Sequence, residues 1–159
     1  MLQRVQTIFL SIIILAIGAL FFLPIWNKID LNTLQSYTMY AWGIEKMNNT
    51  PTPDTWSMPY VWLTGIGTSI VLISIYEISK FKNRMLQLKL GAINNLLLTA
   101  LLGIIVYLVT KNQSNLLPQV TGQYKIGFVM PIVGIVSNFL ANYFIRKDER
   151  LIRSTNRIR

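Results

Sequence analysis

The sequence predicts an all-α membrane protein: four transmembrane helices in an antiparallel bundle, with a small extracytoplasmic β cap. Three observations carry that prediction. The 159 residues are 52% hydrophobic and only 13% charged, with a mean hydropathy of +0.44, so a compact soluble domain would lack the polar surface to cover its core. Four continuous apolar runs are present, each about twice the length that a barrel strand needs, which favours helices over a transmembrane barrel. Basic residues gather on alternate connections, as an even number of crossings requires.

The first span runs from about Thr7 to Trp26 without a charge, enough to cross roughly 30 Å of hydrocarbon. Arg4 and Ala16-Ile17-Gly18 mimic a secretory signal, but the apolar run continues through Phe21, Phe22 and Leu23, which predicts a retained anchor. The second span is Tyr60 to Ser79, with Glu77 near its far end, and the third is the leucine-rich stretch from Leu90 to Val109. The fourth runs from Gly127 to Ile145, and Pro131 falls in its first turn, where a missing backbone donor costs least. Residues 1–159 thus read as a single four-span domain with an outer loop at 27–59 and a basic tail at 146–159.

Eleven of the fifteen Lys and Arg residues are Arg4, Lys80, Lys82, Arg84, Lys89, Arg146, Lys147, Arg150, Arg153, Arg157 and Arg159; only Lys28, Lys46, Lys111 and Lys125 lie on the other side. The positive-inside rule therefore places both termini in the cytoplasm. Trp26, Trp56, Tyr60 and Trp62 then form an outer aromatic belt. Orientation and contact with anionic lipid headgroups account for the net charge of +9, so no nucleic-acid partner is expected.

The outer loop divides near Met47 to Pro53, and its first half, Ser36 to Ile44, alternates β-formers and aromatics as a strand does. Its expected partner is Gln123 to Phe128, because a lone strand is unstable. The alternative is an aromatic loop resting on the headgroups. In either form Tyr37, Tyr40, Trp42 and Trp56 make a candidate outer docking loop. The tail is expected to continue span four as a helix, with Arg150, Arg153 and Arg157 on one face and Leu151, Thr155 and Ile158 on another.

The chain has no cysteine and no histidine, which excludes disulfides, thiol catalysis, thiolate zinc and the usual haem ligands. No Walker loop, G-x-S-x-G elbow or HExxH occurs. No cofactor, metal or catalytic residue is expected, and the chain reads as a non-enzyme.

Polar residues inside the spans are the remaining candidates. Asn138 and Asn142 lie one turn apart and predict an interhelical polar seam with Asn94 or Asn95. Glu77 is expected to pair with Lys80 or Arg84, since a carboxylate near an interface serves orientation better than proton coupling. Gly65 with Ser69, and Gly134 with Ser137, Asn138 and Ala141, predict close helix contacts. Lys80, Lys82, Arg84, Arg146, Lys147 and Arg150 form a candidate cytoplasmic face for lipid or partner.

The opening Met1-Leu2-Gln3-Arg4-Val5-Gln6-Thr7, the segment Phe81 to Leu88, and the close from Ile145 to Ser154 with Arg157-Ile158-Arg159 resemble an uncharacterised family of small four-span bacterial membrane proteins, domain of unknown function 4293. The resemblance covers the whole chain, least strongly over Asn27 to Pro59, and it implies a bacterial inner-membrane location while supplying no activity. The expected role is an accessory or assembly subunit of a larger membrane complex, with other membrane proteins as partners. The alternative is a small oligomeric transporter or lipophile-binding protein built around the asparagines.

Overall fold

The computed structural model describes residues 2–30, 35–47, 51–55, 58–80, 83–115 and 121–156, with side chains described from 5 to 150 within those stretches except at 30, 35, 47, 51–55 and 58–59. Helix α1 spans Leu2–Leu20, α2 Met58–Ser79, α3 Arg84–Asn115 and α4 Val129–Asn156. Strands β1 (Trp26–Asp30), β2 (Gln35–Met39), β3 (Gly43–Met47) and β4 (Pro51–Thr55) fill the first connection, and β5 (Gln123–Tyr124) precedes α4. Three helices are long and apolar enough to cross a membrane, while the corresponding stretch of α1, Val5–Leu20, is shorter.

The first helix begins and ends earlier than the span expected at residues 7–26. Its last turn tightens, with Phe21 N–H donating to Gly18 O at 3.3 Å and Leu23 N–H to Ala19 O at 3.0 Å, and Pro24 prevents the helix from resuming. The third helix extends past both ends of its expected span. Asn83 caps its start by accepting from Leu86 N–H at 3.2 Å, and its 32 residues reach about 48 Å, beyond the thickness of a hydrocarbon core. The fourth helix carries Pro131 in its first turn and continues to Asn156, so the tail is helical as expected.

The helices pack in a ring, α1 against α2 and α4, and α3 against α2 and α4. Sequential neighbours run antiparallel, so the ends of α1 and α3 and the starts of α2 and α4 meet at the sheet. Leu10, Ile13, Ile17 and Leu20 place one stripe of α1 in the core. Leu63 and Ile70 of α2, Leu98, Leu101 and Ile105 of α3, and Ala141 and Ile145 of α4 face it. Phe9 of α1 stacks on Phe144 of α4 with ring centroids 5.6 Å apart. Leu15, Leu72, Leu96 and Phe139 remain exposed on the outside, the apolar coat expected of a bundle solvated by lipid.

The four strands between α1 and α2 join β5 in a five-stranded antiparallel sheet in the order β4-β3-β2-β1-β5. The stretch from Ser36 to Ile44 is therefore not one strand. It turns at Tyr40 to Gly43, where Tyr40 N–H donates to Gly43 O at 2.8 Å, and becomes the β2-β3 hairpin. Nor does Gln123-Tyr124 join that strand; it pairs with Trp26 and Asn27 of β1. The physical reason is chain entry: Gly127 N–H donates to Pro24 O and Lys125 N–H to Ile25 O, both at 2.9 Å, stitching the start of α4 to the end of α1. Strand β4 carries Pro51 and Pro53 and occupies an edge, the position that tolerates a missing donor.

The expected aromatic belt is largely absent from the positions described. Trp26 is buried against Gly122, where a methyl group would overlap the indole. Tyr60 is also buried, its hydroxyl accepting from Asn112 Nδ2 at 2.9 Å. Trp62 is exposed, and Trp56 lies outside the described residues. Lys28 is buried beneath the sheet, with Nζ donating to Gln113 O at 3.0 Å and standing 5.9 Å from the centre of the Trp26 ring.

Candidate functional site

Toward the end of the bundle opposite the sheet, all four helices bury polar side chains in a layer about two helical turns deep. Gln6 of α1, Ser74 and Glu77 of α2, Gln87 and Asn94 of α3, and Ser137 and Asn138 of α4 are nearly or wholly inaccessible. Such groups are costly in an apolar bundle unless they find partners. Their donors are directed by groups that can only accept. Gln87 Nε2 donates to Glu77 backbone O at 3.0 Å, which turns Gln87 Oε1 toward Gln6 Nε2 at 2.9 Å.

The asparagines are oriented in the same way. Ser74 Oγ spends its hydrogen on Ile70 O at 2.9 Å and so accepts from Asn94 Nδ2 at 2.9 Å. Asn138 Nδ2 donates to Gly91 O, also at 2.9 Å. Gly91 has no side chain to obstruct this approach, and a methyl group there would overlap Asn142 Oδ1. Of the predicted seam residues, Asn138 and Asn142 meet α3 at Gly91, whereas Asn94, one turn along α3, bonds Ser74 of α2. Asn95 departs from the seam: the residue is exposed on the outer side of α3.

Glu77 does not form the expected salt bridge. It is fully buried, and neither carboxylate oxygen has a hydrogen-bond partner among the described residues. Lys80 instead sits over the Tyr76 ring at 5.5 Å, and Arg84 pairs with Asp148 of α4. One turn separates the reasons: Glu77 and Ser74 share the inward face of α2, whereas Lys80 follows the helix end. Gln6 and Gln87 were missed by sequence reasoning. The signal for Gln87 was the 87, 91, 94 spacing, which places it on the face of Gly91 and Asn94; Gln6 had none.

Beside the layer, a groove between α3 and α4 encloses about 300 Å³ and is lined by Leu88, Ala92, Asn95, Phe139, Asn142, Tyr143 and Arg146. A second hollow shares Leu88 and Arg146 with it and continues to Met85, Glu149 and Arg150. Of the basic face, Arg146, Lys147 and Arg150 are exposed, Arg84 is tied to Asp148, and Lys82 lies outside the described residues. Of the outer docking loop, Tyr37 is half-buried beneath Lys46 Nζ at 5.6 Å, and Tyr40 stacks on Trp42 at 5.3 Å.

The small-residue surfaces divide. Gly134 packs against Leu98, and Ser137, Asn138 and Ala141 are buried with it. Gly65 meets nothing, and Ser69 is exposed and donates to Gly65 O of its own helix at 2.8 Å. Gly67, two residues on, is the closely approached position, against Phe21.

Fold and layer together define a small, apolar four-helix bundle, capped by a sheet at one end and polar inside at the other. The chain belongs to the family described as Domain of unknown function (DUF4293), which it matches over residues 2–158. No curated protein matches it.

Proposed function

We propose that the chain is a non-enzymatic bacterial inner-membrane protein, with both termini cytoplasmic, that holds an anionic phospholipid in the groove between α3 and α4. The groove carries this reading: Leu88, Ala92, Phe139 and Tyr143 give it an apolar and aromatic wall beside Asn95 and Asn142, and Arg146 stands where the two hollows join. Phe139 and Tyr143, both well exposed, flank an acyl chain, while the Arg146 guanidinium offers paired donors to a phosphate. The excess of Lys and Arg at this end of the bundle supports the orientation.

Native mass spectrometry of the protein purified in mild detergent tests it. Retained phosphatidylglycerol in the native protein, with loss in Arg146→Gln, is expected. Equal retention by native protein and variant removes the groove as the binding site.

The stacked Tyr40 and Trp42 at the β2-β3 turn favour a second reading, an accessory subunit that docks through the sheet. Native electrophoresis after gentle extraction separates the two. A stoichiometric complex lost on Trp42→Ala supports the subunit; a lone protein retaining lipid supports the groove.

A further inference from the structure

The polar layer holds more acceptors than donors. Among the described residues, five buried oxygens lack a hydrogen-bond donor: both carboxylate oxygens of Glu77 and the Oδ1 atoms of Asn94, Asn138 and Asn142. The orientations of Asn138 and Asn94 are not arbitrary, because Asn138 must turn Nδ2 to a carbonyl and Asn94 must turn it to a hydroxyl already spent as a donor. Ser74 bonds Asn94, and one turn along each of these antiparallel helices Glu77 of α2 comes level with Gly91 of α3, whose carbonyl accepts from Asn138 and whose open side is filled by Asn142.

We infer that this layer binds a single small monovalent cation, of the sodium class, with Glu77 as its counter-charge and Asn94, Asn138 and Asn142 as neutral oxygen donors. Charge counting selects a monovalent ion. One carboxylate balances one positive charge, whereas a divalent ion leaves an uncompensated charge in an apolar bundle. Among the described residues no cluster of acidic side chains supplies a second counter-charge. Donor chemistry selects a hard ion, since carboxylate and amide oxygens are what such ions take. Acceptor counting favours a metal ion over a proton: protonated Glu77 supplies one donor, which leaves amide oxygens unmet.

Of the basic groups that follow in sequence, Lys80 stands over Tyr76 and Arg84 pairs with Asp148, while Lys82 lies outside the described residues. The inference goes beyond the lipid reading and does not require it. Asn142, which lines the groove and turns Oδ1 inward, gives the layer a side entrance.

The test is thermal unfolding of the full-length protein in a neutral detergent, with sodium chloride replacing choline chloride at constant ionic strength, repeated for Glu77→Gln and Asn94→Leu. Saturable stabilisation by sodium in the native protein is expected, with at least a tenfold weaker apparent affinity in each variant. Glu77→Gln preserves shape, so its circular dichroism reports whether the bundle is intact. Asn142→Leu provides a second variant on a partly exposed position. Two results overturn the inference: a native protein indifferent to the exchange, or a sodium response unchanged in Glu77→Gln. Such indifference joined to a response to acid leaves Glu77 as a buried carboxylic acid.

Discussion

The side-chain amide of Asn138 donates to the backbone carbonyl of Gly91 at 2.9 Å, joining α4 to α3 through the one position in that turn with no side chain. Gly91 therefore does two things: it opens its carbonyl to Asn138 and leaves room for Asn142. Gly91→Ala forces Asn142 out and is expected to cost about 1–3 kcal/mol, as overpacking does. Asn138→Leu removes one interhelical bond, worth about 0.6 kcal/mol in membrane helices. Unfolding of both variants in mixed detergent micelles checks the order; a milder effect for Gly91→Ala refutes the packing argument.

Glycines elsewhere separate by what surrounds them. Gly127 lies under the Pro24 carbonyl, 2.6 Å from where a methyl group would stand, and backbone cannot yield as a side chain does. Gly127→Ala is expected to lower stability by about 2 kcal/mol or more. Gly65 and Gly103 have open space around them and lie within helices, so alanine there is neutral or stabilising by up to about 1 kcal/mol. Melting temperatures of the three variants suffice to decide.

The ion pair of Arg84 with Asp148 ties the start of α3 to α4 with both side chains partly exposed. Solvent screening limits it to about 0.5–1 kcal/mol. Arg84→Gln and Asp148→Asn should each destabilise slightly, and the double variant should lose no more than either alone. Additive losses in that cycle would show that the two residues act independently.

Burial holds the Lys28 ammonium below its ordinary range. The unfolded chain then binds this proton more tightly than the folded one, so stability rises as pH climbs from the depressed value toward the ordinary one. Lys28→Met should flatten that rise. Melting curves from neutral to alkaline pH measure it, and parallel curves for native protein and variant contradict it.

Much of the bundle was legible in one dimension. The four apolar runs marked four helices, Pro131 marked the start of α4, and Asn138 with Asn142 marked a common face by their spacing. The sheet was legible only in part. Ser36 to Ile44 has the composition of a strand, yet Tyr40 and Gly43 close a turn within it, and the choice of β1 as partner for Gln123-Tyr124 depends on where Pro24 ends α1. Trp26 misled because a tryptophan at a helix end is common in membrane interfaces, while here Gly122 leaves space to bury it.

By itself the sequence determined the helix count, the apolar character, the clustering of charge toward one end and the spacing of the asparagines, because these follow from composition and helical period alone. Only the tertiary structure decided that Glu77 turns inward, unpaired among the described residues, that Asn94 meets Ser74, and that Asn95 does not join them. The reason is rotational. Helix α2 is apolar on nearly every side, and lipid is as apolar as a protein core, so the pattern of side chains does not say which face turns to the bundle and which to the membrane. Packing among the four helices settles that rotation, and with it which polar groups share the interior.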